Sequence, residues 1–253
     1  NVVHSSLSHV ASRLPQTCGI AIFDWHFSIM IFVMGERLFA LGDIHGCYEP
    51  LRELIEHKIE IKKTDKLILL GDYIDRGNQS REVIDYIIEL KKKDFDIVAL
   101  IGNHESMLLD ALDNDIYLSE WIQNGGSETM MSFGINSLKQ LKQVYIDFFK
   151  GLQFYYLLNN FLFVHAGFND RISNPFDDKY HMIWSRREKY ANPVLRDKII
   201  IHGHTPVPQL ICKQEIQNHN HVINIDTGCV YADIEGYGRL SAFEIYSRKL
   251  ISV

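Results

Sequence analysis

The hydrophobic residues of the first half of the chain fall into three short, continuous runs, over Arg37–Leu41, Lys66–Leu70 and Asp96–Ile101. Each run is rich in Leu, Ile and Val and does not alternate with polar residues, which is typical of buried parallel strands. Amphipathic stretches with apolar residues at helical spacing follow the first two runs, over Tyr48–Lys58 and Ser80–Lys93. The pattern therefore predicts parallel strands connected by helices.

The second half of the chain has a different pattern, in which strand-like runs follow one another mostly without long helices between them. A third helix, predicted over Met107–Leu112, precedes this change, and Asn159-Asn160 marks a hairpin turn between two of the strands. A parallel α/β half followed by a strand-rich half predicts two β-sheets packed face to face, with helices outside. The predicted strands are Phe154–Leu158, Phe161–Val164, Lys198–Ile201, Val222–Ile225 and Leu240–Ile245.

The first 33 residues differ from the rest, and Met34 directly precedes the first predicted strand. The apolar stretch Ile20–Val33 is shorter than the ~20 residues that span a membrane, and it contains Asp24 and His26. We interpret residues 1–33 as an extension outside the core, translated upstream of a start at Met34; a short apolar anchor is the alternative. Residues 34–253 are predicted to form one domain.

The segment Asn114–Gly151 is the stretch in which a lid over a site would most easily lie. Gly125-Gly126 predicts a turn between helices, and Trp121 and the pair Met130-Met131 are interpreted as core residues.

Charge and cysteine content narrow the environment and the partners of the chain. A formal net charge of −6 argues against a nucleic-acid groove, which needs a basic face, but it does not exclude phosphate substrates, because bound metal ions would reverse the local sign. The four cysteines form no CxxC pair, which fits a reducing cytoplasm better than a disulfide framework. We expect a cytoplasmic protein without a membrane partner.

Candidate chemistry lies at the ends of the predicted strands. Asp43, Asp72 and Asn103 each follow a glycine at a strand end, about thirty residues apart, and His45 follows two residues after the first. Adjacent parallel strands would bring these groups to one edge of the sheet, where they would make a divalent-metal site. Two strands of the second half end in the same way, before His165 and near His204. Six such groups suit two ions that share a bridging carboxylate.

These motifs, in this order, resemble the signatures of the calcineurin-like metallophosphoesterases, and more narrowly of compact bacterial and phage members of the phosphoprotein phosphatase family. The resemblance covers Met34–Val253 and implies a four-layer αββα sandwich. It is carried by Gly42-Asp43-Ile44-His45-Gly46, Gly71-Asp72-Tyr73-Ile74-Asp75-Arg76-Gly77, Gly102-Asn103-His104-Glu105, His165-Ala166-Gly167 and Gly203-His204.

The resemblance implies two divalent ions, Mn²⁺ being favoured and Fe or Zn being alternatives. It also implies that the first ion is held by Asp43, His45 and Asp72. Asp72 would bridge to the second ion, which Asn103, His165 and His204 would complete.

The resemblance further implies roles for residues that do not bind metal. His104 would be the general acid, oriented by Asp75, and Arg76 would bind phosphate oxygens. Arg186 is the candidate for a second phosphate-binding arginine. The alternatives are a surface ion pair between Asp75 and Arg76 and an exposed basic turn around Arg186.

The expected reaction is hydrolysis of a phosphomonoester by direct attack of metal-bound hydroxide, in a serine/threonine or dual-specificity protein phosphatase. The alternative is a diadenosine tetraphosphate hydrolase. Symmetrically cleaving enzymes of that kind tend to have Ala at the position of Asp75 and Asp at that of Glu105, which this chain does not have. An asymmetrically cleaving hydrolase that retains the aspartate is still an alternative. A catalytically silent metal-binding scaffold is the non-enzyme alternative. A nuclease is disfavoured because Pro206 stands where a second histidine would be expected. His202 and the Asp226-Thr227-Gly228 turn are predicted to support the site.

Overall fold

The three apolar runs of the first half form neighbouring parallel strands, β1 (Leu38–Leu41), β2 (Lys66–Leu69) and β3 (Asp96–Ala99). Two antiparallel strands near the end of the chain, β8 (Ser241–Glu244) and β9 (Lys249–Ser252), complete this first sheet in the order β3-β2-β1-β8-β9. The computed structural model describes residues 36–187 and 189–253, so the extension predicted over residues 1–33 lies outside the described residues.

The second sheet has the order β4-β5-β6-β7 and is formed by β4 (Tyr155–Leu158), β5 (Phe161–Val164), β6 (Ile199–His202) and β7 (Val222–Asn224). The first two strands form the predicted antiparallel hairpin, with Asn159 at a positive φ of 57°, and the others are parallel. Both sheets are therefore mixed, as predicted. The predicted strand Leu240–Ile245, observed as β8, joins the first sheet instead of the other strands of the second half, and β9 is a strand that the sequence pattern does not predict.

Alternate residues of β1 face two different apolar layers. Leu38 and Ala40 lie in the core between the sheets, together with Phe163 of the second sheet, whereas Phe39 and Leu41 pack toward the outer helices. This two-sided burial explains why the strands read as continuous apolar runs.

The helices cover the outer faces of the two sheets. Leu51, Val83 and Leu108 pack in the apolar layer on the outer face of the first sheet, and Met182 packs on the outer face of the second. The α-helices are α1 (Tyr48–Glu53, continued by a π-helical turn over Leu54–Ile59), α2 (Ser80–Lys92), α3 (Asn103–Asp113), α4 (Leu118–Trp121), α5 (Ser127–Phe133), α6 (Gln143–Lys150), α7 (Lys179–Trp184) and α8 (Gln209–Gln217). Within the described part of the chain, no helix is long and apolar enough to cross a membrane.

Two local predictions are wrong, and two are confirmed. Helix α3 begins at Asn103, four residues before Met107, because the Glu105 side chain accepts the Gly102 N–H and caps the helix start. Gly125-Gly126 forms the predicted turn between helices, as a kink between α4 and α5 at which Gly125 leaves helical conformation with a φ of 107°. Met131 is 70% exposed and is not a core residue, whereas Trp121 is buried as predicted.

Candidate metal centre and active site

The polar strand ends of both sheets meet at one edge of the molecule. Asp43, Asp72 and Asn103 follow β1, β2 and β3 of the first sheet, and His165 and His204 follow β5 and β6 of the second. The first four are buried, and His204 is partly buried. Because the apolar layer between the sheets aligns the carboxyl ends of their parallel strands, residues more than 160 positions apart come together at this edge.

Asp72 is at the centre of the cluster. Its Oδ2 atom lies 3.5 Å from Nε2 of His45, 3.5 Å from Nε2 of His165 and 3.9 Å from Nε2 of His104. Two groups of converging ligand atoms share this carboxylate; one contains His45 and His104, and the other contains His165 and His204. One carboxylate common to two groups is the arrangement expected of a bridging ligand.

Asn103 and Asp43 take different places beside these groups. The Asn103 Oδ1 atom lies 3.0 Å from His165 Nε2 and 3.0 Å from His204 Nδ1, so this amide belongs with the second group. The Asp43 carboxylate accepts the His204 backbone N–H at 3.1 Å. A Cβ at Gly203 would lie 2.1 Å from Asp43 Oδ1, so only glycine leaves room for it. Among the described residues, Asp43 is in neither converging group; it lies at the side of the cluster.

Hydrogen bonds to the main chain fix the tautomers of His45 and His165. Nδ1 of His45 donates to the Ile74 carbonyl at 2.9 Å, and Nδ1 of His165 donates to the Leu70 carbonyl at 3.0 Å. Both bonds leave the Nε2 lone pair directed at Asp72, which is how metal-binding histidines are usually oriented. Burial lowers the pKa of His45 to about 3 and also lowers the pKa of His165, so both imidazoles are neutral at pH 7.

His104 has a different partner. Its Nδ1 atom is 2.7 Å from Oδ2 of Asp75, and its Nε2 has no hydrogen-bond partner among the described residues. Burial by itself lowers the pKa of His104, but the carboxylates of Asp72 and Asp75 outweigh burial and raise it. The two carboxylates thus favour the protonated imidazole of His104, whereas burial favours the neutral imidazoles of His45 and His165.

The donor set fits divalent ions. Nε2 of His204, like that of His104, is buried and has no hydrogen-bond partner within the described part of the chain. Burial, then the neighbouring carboxylates of Asp226 and Asp72, raise the pKa of Asp43, as expected where several acidic groups are buried close together. Carboxylate, amide and imidazole donors in this mixture suit Mn, Fe or Zn.

The two candidate arginines occupy different environments. The guanidinium of Arg76 lies 2.7 Å from Nε2 of His45, which brings it to the edge of the cluster. No ion pair between Arg76 and Asp75 is found in the described residues, in contrast to the surface-pair alternative. Arg186 is exposed, but its charge contributes to the lowered pKa of His204, and the Trp184 ring lies 6.0 Å from the His204 ring. Arg186 also lines a cavity of 630 Å³ beside the cluster.

Three further residues contact the main chain near the site, and the sequence pattern does not predict the role of one of them, Glu105. Glu105 is buried, and its carboxylate accepts the backbone N–H groups of Asp72 at 2.9 Å and Tyr73 at 2.7 Å. Asp226 accepts the Gly228 N–H at 2.9 Å in the predicted tight turn. Nδ1 of His202 lies 3.1 Å from the Gly203 carbonyl oxygen, away from both ligand groups.

Replacing Glu105 with Ala is expected to destabilise the protein by about 3–5 kcal/mol, because several buried N–H donors would lose their acceptor at about 1–3 kcal/mol each. Besides Asp72 and Tyr73, these donors are the N–H groups of Ile74 and Gly102. Urea denaturation of the metal-free protein measures the change. Glu89→Ala is the control, because the Glu89 side chain is 58% exposed. A loss below about 1 kcal/mol would contradict this supporting role.

Residues 36–231 match the calcineurin-like phosphoesterase family. The chain therefore belongs to this family of metal-dependent hydrolases of phosphoester bonds.

Individual relatives have different named activities. The chain is 26% identical over 238 residues to the asymmetrical bis(5'-nucleosyl)-tetraphosphatase PrpE of Oceanobacillus iheyensis, covering 84% of this chain and 90% of the relative. Among solved structures, it resembles a putative diadenosine tetraphosphatase with a TM-score of 0.60 and 20% identity, covering 87% of this chain and 94% of that one. It also resembles a serine/threonine phosphatase from Saccharomyces cerevisiae with similarity to human phosphatase PP5, with a TM-score of 0.59 and 17% identity, covering 87% and 80%. These structural likenesses show the fold.

Proposed function

We propose that the chain hydrolyses phosphomonoesters and acts as a serine/threonine or dual-specificity protein phosphatase in the cytoplasm. The observation that carries this proposal is the buried pair of His104 and Asp75, with Nδ1 and Oδ2 2.7 Å apart. A serine or threonine leaves as an alkoxide, which is strongly basic and needs a proton from the enzyme. A phosphate leaving group has a second pKa near 6 and needs a proton much less. The oriented proton donor formed by His104 and Asp75 therefore favours a substrate with an alcohol leaving group.

The proposed metal ligands are the six residues that the sequence predicts, and the proposed ions are Mn²⁺. Two bound ions would neutralise phosphoryl oxygens and lower the pKa of water. The chain's own part is to keep its ligands unprotonated and directed inward. The hydrogen bonds of His45 and His165 to main-chain carbonyls provide this orientation. The proposed ligands are Asp43, His45, Asp72, Asn103, His165 and His204.

Arg76 and Arg186 are proposed to bind the non-bridging phosphate oxygens. The Arg76 guanidinium reaches the His45 ring, so it is within range of a phosphate at the cluster. A planar guanidinium can donate two parallel N–H groups to phosphate. Arg186, which lies close enough to His204 to lower its pKa, would hold the remaining oxygens.

The second candidate function is hydrolysis of a dinucleoside tetraphosphate. It is favoured by the similarity to the Oceanobacillus tetraphosphatase over nearly its full length. The 630 Å³ cavity beside the cluster also has a size typical of small-molecule sites. Its lining includes Arg187 and the stacked rings of Tyr180 and Trp184, whose centroids are 6.3 Å apart.

One competition experiment separates the two candidates. The full chain is stripped with chelator, reloaded with Mn²⁺ and offered phosphoserine, phosphothreonine and phosphotyrosine peptides together with diadenosine tetraphosphate. We expect metal-dependent release of inorganic phosphate from the peptides while the dinucleotide stays intact. Release of AMP and ATP, or of ADP, would favour the second candidate. Turnover of neither substrate, with two ions bound, would favour the silent scaffold. Asp72→Asn, purified in parallel, controls for contaminating phosphatases.

A further inference from the structure

Asp75 is held by more hydrogen bonds than a partner of one histidine requires. Its Oδ2 atom accepts the Trp121 Nε1–H at 2.9 Å in addition to the His104 bond, and its Oδ1 atom accepts the Thr129 hydroxyl at 2.6 Å. All four residues are buried. With both oxygens engaged, the carboxylate cannot rotate without breaking a bond to a buried donor.

Thr129 also holds the main chain of Asp75. The Asp75 N–H donates to the Thr129 hydroxyl oxygen at 2.9 Å, and the Ser80 hydroxyl, 3.1 Å from that of Thr129, accepts the same N–H at 3.2 Å. One hydroxyl thus accepts from the backbone of Asp75 and donates to its side chain. This pairing sets the side-chain direction relative to the backbone.

The same segment contacts the next residue, Arg76. The Arg76 N–H donates to the Gly125 carbonyl at 3.3 Å. Gly125 has a φ of 107°, and a Cβ there would lie 2.6 Å from the Arg76 nitrogen. The close approach and the backbone conformation therefore both require glycine. This contact explains why the kink lies between α4 and α5.

The loop that is held in this way is in an unfavourable conformation. Asp75 and Arg76 have φ values of 71° and 67°, so two consecutive residues with side chains lie in the left-handed region. Such conformations persist where the surrounding structure enforces them, and they are concentrated at functional sites. Trp121, Gly125 and Thr129 are the contacts that enforce this one from outside the loop.

We infer that the segment 121–129 sets the geometry of proton donation, with Trp121 and Thr129 as positioning residues that act through Asp75 on His104. This inference rests on the proposed function, in which His104 protonates the leaving oxygen. A purely structural segment would need only to bury the Trp121 ring. Instead, its polar atoms converge on one carboxylate, and its kink is shaped around Arg76.

Thr129→Val tests the inference, because it keeps the branched shape and removes the hydroxyl. We expect kcat on a phosphoserine peptide to fall at least about tenfold with KM unchanged, since proton transfer contributes about 10²–10⁴-fold to such rates. On p-nitrophenyl phosphate, whose leaving group needs little protonation, the fall should stay below about threefold. Thr129→Ser should restore most of the activity.

Ser132→Ala is the matched control on the same segment. The Ser132 hydroxyl accepts the Arg81 N–H at 2.9 Å and so attaches α5 to α2 without contacting Asp75. We expect it to leave both rates unchanged. Equal losses of Thr129→Val on both substrates, or the same losses in Ser132→Ala, would mean a general structural role and would overturn the inference.

Proton NMR provides a readout that does not depend on turnover. Spectra are recorded on chelator-treated protein and again after loading with Zn²⁺. The downfield signal of the proton between His104 and Asp75 is assigned by its absence from the spectra of His104→Asn. We expect this signal to shift or broaden in Thr129→Val and Trp121→Phe and to return in Thr129→Ser. An unchanged signal in the first two variants would overturn the inference. If the wild type hydrolyses no phosphomonoester, the proposed function fails, whereas the NMR result still decides whether the segment positions the pair.

Discussion

Replacing His104 with Asn is expected to lower kcat on a phosphoserine peptide by about 10²–10⁴-fold, with little change in KM. Asparagine keeps a polar side chain of similar reach toward Asp75, but it cannot deliver a proton. The substrate still binds, because the proposed phosphate contacts are made by Arg76 and Arg186. Steady-state kinetics of the Mn²⁺-loaded enzyme, together with metal content by mass spectrometry, measures the effect.

A comparison of substrates with different leaving groups shows whether the loss of kcat in His104→Asn reflects lost proton donation. On p-nitrophenyl phosphate, the His104→Asn loss should be much smaller than on the peptide, because the phenolate is a weaker base than an alkoxide. His57→Asn is the control, since His57 is exposed on the π-helical turn after α1. If the loss were equal on all substrates, or if the bound metal fell in parallel, His104 would be a metal ligand instead of the acid. This outcome needs testing because His104 converges with His45 and Asp72 in one of the two groups of ligand atoms.

Replacing Asp72 with Asn is expected to reduce bound metal from two ions to fewer than one per chain and to lower kcat/KM by at least about 10³-fold. Both ligand groups contain this carboxylate, so one substitution removes charge from both sites. Burial alone would raise the pKa of Asp72, but the surrounding histidines lower it, so the carboxylate is ionised at neutral pH. The neutral amide would keep the shape of the side chain and lose this charge.

Metal content by mass spectrometry and circular dichroism separate metal loss from unfolding. The Asp72→Asn spectrum should match that of the chelator-treated wild type, and added Mn²⁺ should restore activity to the wild type alone. Asp147→Asn, an exposed substitution on α6, controls for a general effect of removing a carboxylate. Two tightly bound ions in Asp72→Asn would contradict a bridging role.

The substrate question depends on the same geometry. The chain is similar in sequence to a named dinucleoside tetraphosphatase and shares the fold of a named serine/threonine phosphatase, so membership of the family does not choose between the two activities. The chain's own features divide in the same way. The oriented His104–Asp75 pair favours an alcohol leaving group, whereas the cavity with stacked Tyr180 and Trp184 has room for a nucleoside.

The amino-acid sequence by itself determined the elements that are local in the chain. Each of β1, β2 and β3 is an apolar run that is followed directly in the sequence by a glycine and a polar residue. Hydrophobic periodicity and turn chemistry therefore suffice to predict them. Parallel strands end at one edge of a sheet, and this rule alone predicts that Asp43, Asp72 and Asn103 lie close together. The hairpin at Asn159 was predicted from the same kind of local signal.

Only the tertiary structure decided which strands share a sheet and which residues hold the catalytic candidates in place. β8 joins the first sheet through pairing with β1, about 200 residues earlier, and no local pattern specifies that partner. The sequence predicts Trp121 only as a core residue and does not single out Thr129, because their role depends on hydrogen bonds to Asp75 across 46 and 54 positions. Hydrophobic periodicity records which face of an element is buried. It does not record which buried donor finds which acceptor, because that choice is made when separate elements pack together.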